Sequence, residues 1–104
     1  MDLFHLKKEK RSHIEGTYKG DIIVYGLSTC VWCKKTKKLL SELGVEFDFV
    51  YVDRLKGAEE KEVLEEVKKY NPLLSFPTTV IEGKTVIVGF KEKQLRESLG
   101  FLGF

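Results

Sequence analysis

The chain has 104 residues and a net charge of +2; 42% of its residues are hydrophobic and 33% are charged. This length fits one compact domain, whose apolar content suffices for a core without metal or disulfide cross-links. The small net charge does not indicate nucleic-acid binding, and no apolar run is long enough to cross a bilayer. The basic N-terminus lacks the apolar region of a secretory signal. We therefore expect a cytoplasmic, monomeric protein without nucleic-acid or membrane partners.

The first twenty residues differ from the rest, because they are mixed, basic and interrupted by Gly16 and Gly20. We interpret residues 1–20 as an N-terminal extension with one weak strand or helical turn, and residues 21–104 as the domain. Apolar periodicity and Gly or Pro breakers within the domain predict alternating strands and helices. The predicted strands are 22–25, 46–53, 78–81 and 85–88, and the predicted helices are 30–43, 59–70 and 91–99.

The order of these elements, β-α-β-α-β-β-α, defines the expected architecture. A helical crossover between the first two strands makes them parallel, and the hairpin around Gly83 adds antiparallel strands. We therefore predict an α/β fold with a mixed four-stranded sheet that is covered by helices on both faces. The apolar tail, residues 101–104, is expected to pack back onto this domain.

The two cysteines of the chain, Cys30 and Cys33, lie three residues apart where the first predicted helix begins. Unpaired N–H groups at a helix N-terminus favour negative charge, so a thiolate is stabilised at this position. A spacing of three on a helix places both sulfurs on one side, within reach of a disulfide bond. We therefore predict that Cys30 attacks a substrate disulfide and that Cys33 resolves the mixed disulfide.

Other interpretations of the cysteine pair are weaker. A zinc site requires about four ligands, and His5 and His13 do not complete such a set, so we predict no metal. Burial of two inert thiols is disfavoured by their position at a helix start. Trp32, between the cysteines, is either a core side chain or an exposed contact for a partner, and we favour the exposed position. The lysines that follow are most simply a solvated helix face.

Pro77 follows Phe76 directly before the third predicted strand. Proline is tolerated at the start of a strand, where its missing N–H removes no ladder hydrogen bond. The alternative is a cis peptide between Phe76 and Pro77, which would present the main chain of Phe76 beside the cysteines. A substrate strand can pair with backbone that is exposed in this way. The residues alone leave both geometries open.

Several motifs together resemble those of glutaredoxin-like proteins. They are Val24-Tyr25-Gly26, Ser28-Thr29-Cys30-Val31-Trp32-Cys33-Lys34-Lys35, Phe76-Pro77-Thr78 and Val88-Gly89-Phe90. The resemblance covers about residues 21–100 and is strongest to archaeal and bacterial glutaredoxin-like redoxins, which include electron donors to ribonucleotide reductase.

The resemblance implies a thioredoxin fold without a resident cofactor. It implies Cys30 as the nucleophile, Cys33 as the resolving thiol and a cis peptide before Pro77. It also implies that the main chain of Phe76 holds the substrate and that Gly89 closes the active-site groove.

Departures from the family pattern bear on the reductant. Leu27 occupies the position of a lysine that is common in glutathione-dependent members, and Ser75-Phe76 replaces Thr-Val. The segment Phe90-Lys91-Glu92-Lys93 replaces a glycine followed by acidic residues. The groups that pair with the carboxylates and ammonium of glutathione are thus largely altered. The resemblance therefore favours a thioredoxin-reductase-type or ferredoxin-linked disulfide reductase over glutathione as the reductant, and disulfide-containing proteins such as ribonucleotide reductase as substrates.

Two functions are compatible with this sequence. The first is a dithiol electron carrier that reduces protein disulfides. The second is an iron–sulfur cluster carrier in which Cys30 from each of two chains binds a shared cluster. Cluster carriers of this family usually have a single active-site cysteine, so the presence of Cys33 favours the first function.

Overall fold

The computed structural model describes residues 11–100, which form a mixed sheet with helices on both sides. Apart from the first strand and a 3₁₀ turn, each element lies where the sequence predicts it, with ends shifted by at most two residues. The strands are β1 (Arg11–Ile14), β2 (Ile22–Gly26), β3 (Phe47–Tyr51), β4 (Thr78–Ile81) and β5 (Thr85–Val88). The helices are α1 (Val31–Glu42), α2 (Gly57–Tyr70) and α3 (Glu92–Ser98), and a 3₁₀ turn, Val52–Arg54, follows β3.

The sheet has five strands, in the order β1-β3-β2-β4-β5, and the prediction of four strands is wrong. β2 and β3 are parallel, as the crossover through α1 requires, and the hairpin of β4 and β5 is antiparallel. The additional strand, β1, lies in the N-terminal extension and pairs antiparallel with β3, with Arg11 opposite Val50. Its sequence, Arg-Ser-His-Ile, has no apolar alternation. Backbone hydrogen bonding along β3, rather than a local pattern, makes it a strand.

The core consists of two clusters, one on each face of the sheet. On one face Val24 of β2 belongs to the cluster that contains Leu40 of α1 and Leu95 of α3. On the other face the next residue, Tyr25, belongs to the cluster that contains Val67 of α2. Successive residues of a strand point to opposite faces, so β2 contributes to both clusters. This arrangement confirms the predicted thioredoxin fold with helices on both faces.

Two further expectations concern membrane-spanning helices and the C-terminal tail. None of the helices within residues 11–100 is long and apolar enough to span a membrane. The predicted packing of residues 101–104 lies outside the described residues.

His13 of β1 links the edge strand to its neighbour. Its Nδ1 lies 2.6 Å from Oδ1 of Asp48, the residue opposite it in the ladder, and its Nε2 lies 3.7 Å from carboxylate oxygens of Glu15 and Glu46. The hydrogen bond with Asp48 raises the pKa of His13 above its ordinary value of 6.5; partial burial opposes this shift, and the three carboxylate charges add to it. The protonated imidazole therefore stabilises the pairing of β1 with β3.

We expect the stabilisation by His13 to be complete below about pH 6.5 and to be lost as the pH rises through its raised pKa. The reason is that the folded chain binds the imidazole proton more tightly than the unfolded chain does. Thermal unfolding of the wild type and of His13→Gln, compared from about pH 5.5 to about pH 9, measures the effect. The difference between the two midpoints should be largest at the acidic end and vanish at the basic end. A difference that does not change with pH would contradict this assignment.

Candidate functional site

Cys30 is the N-cap residue of α1 and follows directly on the loop that leaves β2. Its backbone is extended, with φ −85° and ψ 119°, and its sulfur accepts a hydrogen bond from the N–H of Cys33 at 3.2 Å. An N-cap side chain normally satisfies one of the free N–H groups of the first turn, and here a sulfur does so. The half-buried Cys30 sulfur therefore faces the positive end of the helix dipole.

Cys33 lies one turn further into α1 and is fully buried. Burial, together with the hydrogen bond to the Cys30 side chain, raises the pKa of the Cys33 thiol to about 12. A hydrogen bond from the backbone of Leu27 acts in the opposite direction, and the charge of Asp53 adds to the increase. The two thiols are unlinked, and the main-chain N–H of Cys33 donates to the Cys30 sulfur. Cys30 is thus partly accessible, whereas Cys33 is buried next to it.

Gly26, the last residue of β2, leaves room for Cys33. A Cβ at this position would lie 2.6 Å from Cζ of Phe49 and 3.1 Å from both Cβ and Sγ of Cys33. These distances are shorter than ordinary van der Waals contacts. A larger side chain would displace the Cys33 thiol or the ring of Phe49. The sequence predicts only that Gly26 ends a strand. That Gly26 also makes room for Cys33 depends on how α1 packs over β2 and β3.

The residues between the cysteines project outward: Val31 is 60% exposed and Trp32 is 54% exposed. The indole of Trp32 stacks on Phe90, with ring centroids 6.1 Å apart and 23° between the ring planes. Nζ of Lys35 lies 4.6 Å from the centre of the same ring, within the range of a cation–π contact. These contacts hold an exposed aromatic surface beside the cysteine pair. Such a surface suits contact with a partner protein.

The peptide bond between Phe76 and Pro77 is cis, as the resemblance implies. Phe76 is half-buried and packs against both core clusters, including the cluster that contains Cys33. The N–H of Gly89 donates to the carbonyl of Pro77 at 2.8 Å and ties the end of β5 to this turn. Gly89 has a φ of 85°, which favours glycine, and a Cβ there would meet open space. The backbone conformation, and not a close neighbour, therefore favours glycine at position 89.

Asn71 organises the loop between α2 and β4 that carries the cis peptide. Its buried side-chain nitrogen donates to the carbonyl and the hydroxyl of Ser75 at 3.0 and 3.1 Å, and to Oγ1 of Thr78 at 3.0 Å. Its side-chain oxygen accepts the N–H of Leu73 at 3.2 Å. In the sequence, Asn71 and the following Pro72 indicate only the end of a helix. The hydrogen bonds show that the same side chain holds the loop together.

A cleft of about 410 Å³ adjoins the loop before α1, and basic side chains such as Lys34 line it. Nζ of Lys37 donates to the phenolic oxygen of Tyr51 at 2.6 Å, and the guanidinium of Arg54 lies 4.2 Å from the centre of the same ring. Burial raises the pKa of Tyr51, but the hydrogen bonds from Lys37 and Ser12 and the nearby positive charges outweigh it and lower the pKa. The lysines after the cysteine pair are therefore only in part a solvated face. They also give this side of the loop a positive potential.

Within residues 11–100, His13, Glu15 and Glu46 form the one group that brings three potential metal-ligand atoms within 4.8 Å of one another. They lie at the edge formed by β1 and the start of β3, and neither cysteine takes part. His13 is already hydrogen-bonded to Asp48 at 2.6 Å. We therefore assign the three residues to the ion pairs that join β1 to β3.

Known proteins share this fold. A family model described as Glutaredoxin matches residues 22–86, which include both cysteines and Pro77. An uncharacterized glutaredoxin-like 8.6 kDa protein in the rubredoxin operon of Clostridium pasteurianum is 32% identical over 74 residues, which are 71% of this chain and 91% of the relative.

Two solved structures from the genus Methanosarcina are more similar. The glutaredoxin from Methanosarcina mazei Go1 has a TM-score of 0.85 and 61% identity, with 97% of each chain covered. Methanosarcina acetivorans methanoredoxin has a TM-score of 0.80 and 57% identity over 83% of this chain and 90% of that chain. The match to the family model over more than half of the chain, together with these relatives, shows that the chain belongs to the glutaredoxin family.

Proposed function

We propose that this chain is a dithiol–disulfide oxidoreductase that reduces protein disulfides through Cys30 and Cys33. Membership of the glutaredoxin family supports thiol–disulfide oxidoreductase activity in general. The asymmetry of the two thiols carries the specific proposal, because the half-buried Cys30 caps α1 whereas the hydrogen-bonded Cys33 is fully buried. A reducing cytoplasm, where closely spaced thiols stay reduced, is the proposed location.

The reaction proceeds by two exchange steps. The Cys30 thiolate attacks one sulfur of the substrate disulfide, that bond breaks, and one substrate thiolate leaves. Cys33 then loses its proton and attacks the Cys30 sulfur, which releases the second substrate thiol and forms the Cys30–Cys33 disulfide. The substrate gains two electrons and the pair loses two. Because its pKa is raised to about 12, Cys33 remains a thiol in the first step, so Cys30 begins the reaction.

The surface around the pair supplies the contacts for a protein substrate. An extended segment next to the substrate disulfide pairs with the main chain of Phe76, whose side chain and cis peptide shape that turn. Gly89, whose N–H is bonded to the carbonyl of Pro77, closes the groove that receives this segment. The stacked rings of Trp32 and Phe90 contact apolar groups beside the disulfide. Disulfide-containing proteins, with ribonucleotide reductase as one case, are therefore the proposed substrate class.

The choice of reductant within this proposal can be tested directly. We expect a thioredoxin-reductase-type or ferredoxin-linked enzyme to reduce the oxidised protein rapidly, and glutathione alone to reduce it slowly. Leu27 and Lys91–Lys93 stand where glutathione-dependent members carry the groups that pair with the tripeptide. The measurement follows reduction of the Cys30–Cys33 disulfide by mass spectrometry, with each reductant alone and with a protein disulfide as the final acceptor.

Rapid reduction by glutathione without any reductase would contradict this choice of reductant. The alternative function, a cluster carrier that uses Cys30 from two chains, gives a different result. Protein purified anaerobically would then be a brown dimer with charge-transfer absorption instead of a colourless monomer. Such a dimer, unable to reduce a protein disulfide, would overturn the proposal.

A further inference from the structure

Asp53, in the 3₁₀ turn after β3, is bound to the loop that precedes Cys30. Its Oδ1 accepts the N–H of Ser28 at 2.9 Å, and its Oδ2 accepts a hydrogen bond from the Ser28 hydroxyl. Ser28, which lies 25 positions away in the sequence, thus donates to both carboxylate oxygens of Asp53. Burial raises the pKa of Asp53, but the two hydrogen bonds from Ser28, together with the Asp53 backbone and the charge of Arg54, lower it below its ordinary value. The group is therefore a carboxylate near neutral pH.

The segment held by Asp53, Leu27–Ser28, contacts both cysteines. The carbonyl of Leu27 accepts the N–H of Cys30 at 3.3 Å. The backbone of Leu27 lowers the pKa of the Cys33 thiol, and the charge of Asp53 raises it. Asp53 therefore influences Cys33 in two ways: through the segment that it holds, and through its charge.

We propose that Asp53 is a positioning residue of the exchange reaction, because its two bonds to Ser28 hold the Leu27–Ser28 segment against both cysteines. The inference rests on the proposed function and assigns Asp53 a role in it. The N–H of Leu27 stabilises the negative charge that develops on Cys33 when this thiol loses its proton and attacks the mixed disulfide. The Asp53 carboxylate disfavours the same charge, so Cys33 stays protonated until the mixed disulfide has formed.

Two substitutions separate the two effects. Asp53→Asn keeps the size of the side chain and an acceptor for the Ser28 N–H, but removes the charge. It should move the pH–rate profile of the resolving step to lower pH, because the carboxylate no longer opposes the Cys33 thiolate. Asp53→Ala should show a smaller displacement, because the Leu27 N–H that favours the thiolate is no longer held, and a limiting rate about tenfold lower.

The experiment mixes the reduced full-length protein with Ellman's reagent, an aromatic disulfide, in a stopped-flow instrument at a series of pH values. Attack by Cys30 releases the first thionitrobenzoate and leaves a mixed disulfide. Attack by Cys33 on Cys30 then releases the second and forms the protein disulfide, so the phase whose rate does not depend on reagent concentration reports the resolving step. Asp21→Asn is the matched control, because it removes an exposed carboxylate at the opposite end of β2 from Gly26.

The possible outcomes distinguish a failure of this inference from a failure of the proposed function. Release of a single equivalent by the wild type would mean that Cys33 does not resolve the mixed disulfide, and the proposed function would fail. Release of two equivalents, with the same pH–rate profile in the wild type, Asp53→Asn and Asp53→Ala, would overturn the role of Asp53 alone. Should the Asp53 variants not fold, Ser28→Ala removes only the hydroxyl donor. It should lower the limiting rate by a smaller factor without moving the profile, and an unchanged limiting rate would overturn the inference.

Discussion

Replacement of Cys30 by serine is expected to lower disulfide reduction by about a thousandfold or more, whereas replacement of Cys33 by serine is expected to trap the substrate. A serine hydroxyl does not ionise near neutral pH, so Cys30→Ser removes the nucleophile. Cys33→Ser leaves the nucleophile in place but removes the thiol that resolves the mixed disulfide. Turnover of a protein disulfide measures the first variant, and mass spectrometry of the covalent complex measures the second.

The two substitutions are well matched for this comparison. Serine is a favoured N-cap residue, so Cys30→Ser keeps a cap on α1. The hydrogen bond from Cys33 to the Cys30 sulfur comes from a main-chain N–H, so it is retained in Cys33→Ser. Ser41→Ala, an exposed change near the other end of α1, should keep the wild-type rate. Normal turnover by Cys30→Ser would refute the assignment of the nucleophile.

Replacement of Asn71 by aspartate is expected to lower the free energy of unfolding by about 3 kcal/mol at neutral pH. The Asn71 side-chain nitrogen donates to oxygens of Ser75 and Thr78, and an aspartate oxygen in its place would face those oxygens as a second acceptor. A buried carboxylate would also lose its hydration. For a domain of this size the loss corresponds to a thermal midpoint about 15 °C lower.

The pH dependence of this variant gives a second measurement. Burial raises the pKa of an aspartate, so the introduced group should become protonated as the pH falls and regain one donor. The difference in midpoint between wild type and Asn71→Asp should therefore narrow in acid. Leu73→Ala changes an 85% exposed side chain in the same loop and should leave the midpoint within about 2 °C. A wild-type midpoint for Asn71→Asp at neutral pH would show that these hydrogen bonds do not stabilise the loop.

Much of the fold could be predicted because each element carries a local signal. The β-branched run that begins at Ile22 predicts a buried strand, and Leu39 and Leu40 predict the buried face of a helix that ends at Gly44. In the structure these three apolar side chains are buried, and Gly44 has a φ of 72°. A residue in the left-handed region is what ends many helices, and glycine adopts it without strain. Such signals need only a few neighbouring residues, which is why they can be read from the chain alone.

The candidate site was predictable only in part. The position of Cys30 and Cys33 at a helix start follows from their spacing and from the strand and loop before them. The cis geometry of Pro77 did not follow from the residues alone, and it came from the resemblance to glutaredoxin-like proteins. The stacking of Trp32 on Phe90 was not predicted, because the two rings meet only when α1 packs beside the end of β5.

The amino-acid sequence by itself determined the order of the elements from β2 onward and placed the two thiols at the first turn of α1. Tertiary structure alone decided that β1 joins the sheet, that Asn71 holds the loop before β4, and that Asp53 binds Ser28. These three features depend on donors and acceptors that meet after folding, in the case of Asp53 across 25 positions of sequence. A polar side chain has the same local appearance whether it is solvated or paired with a distant group. Its partner is therefore visible only in the folded chain.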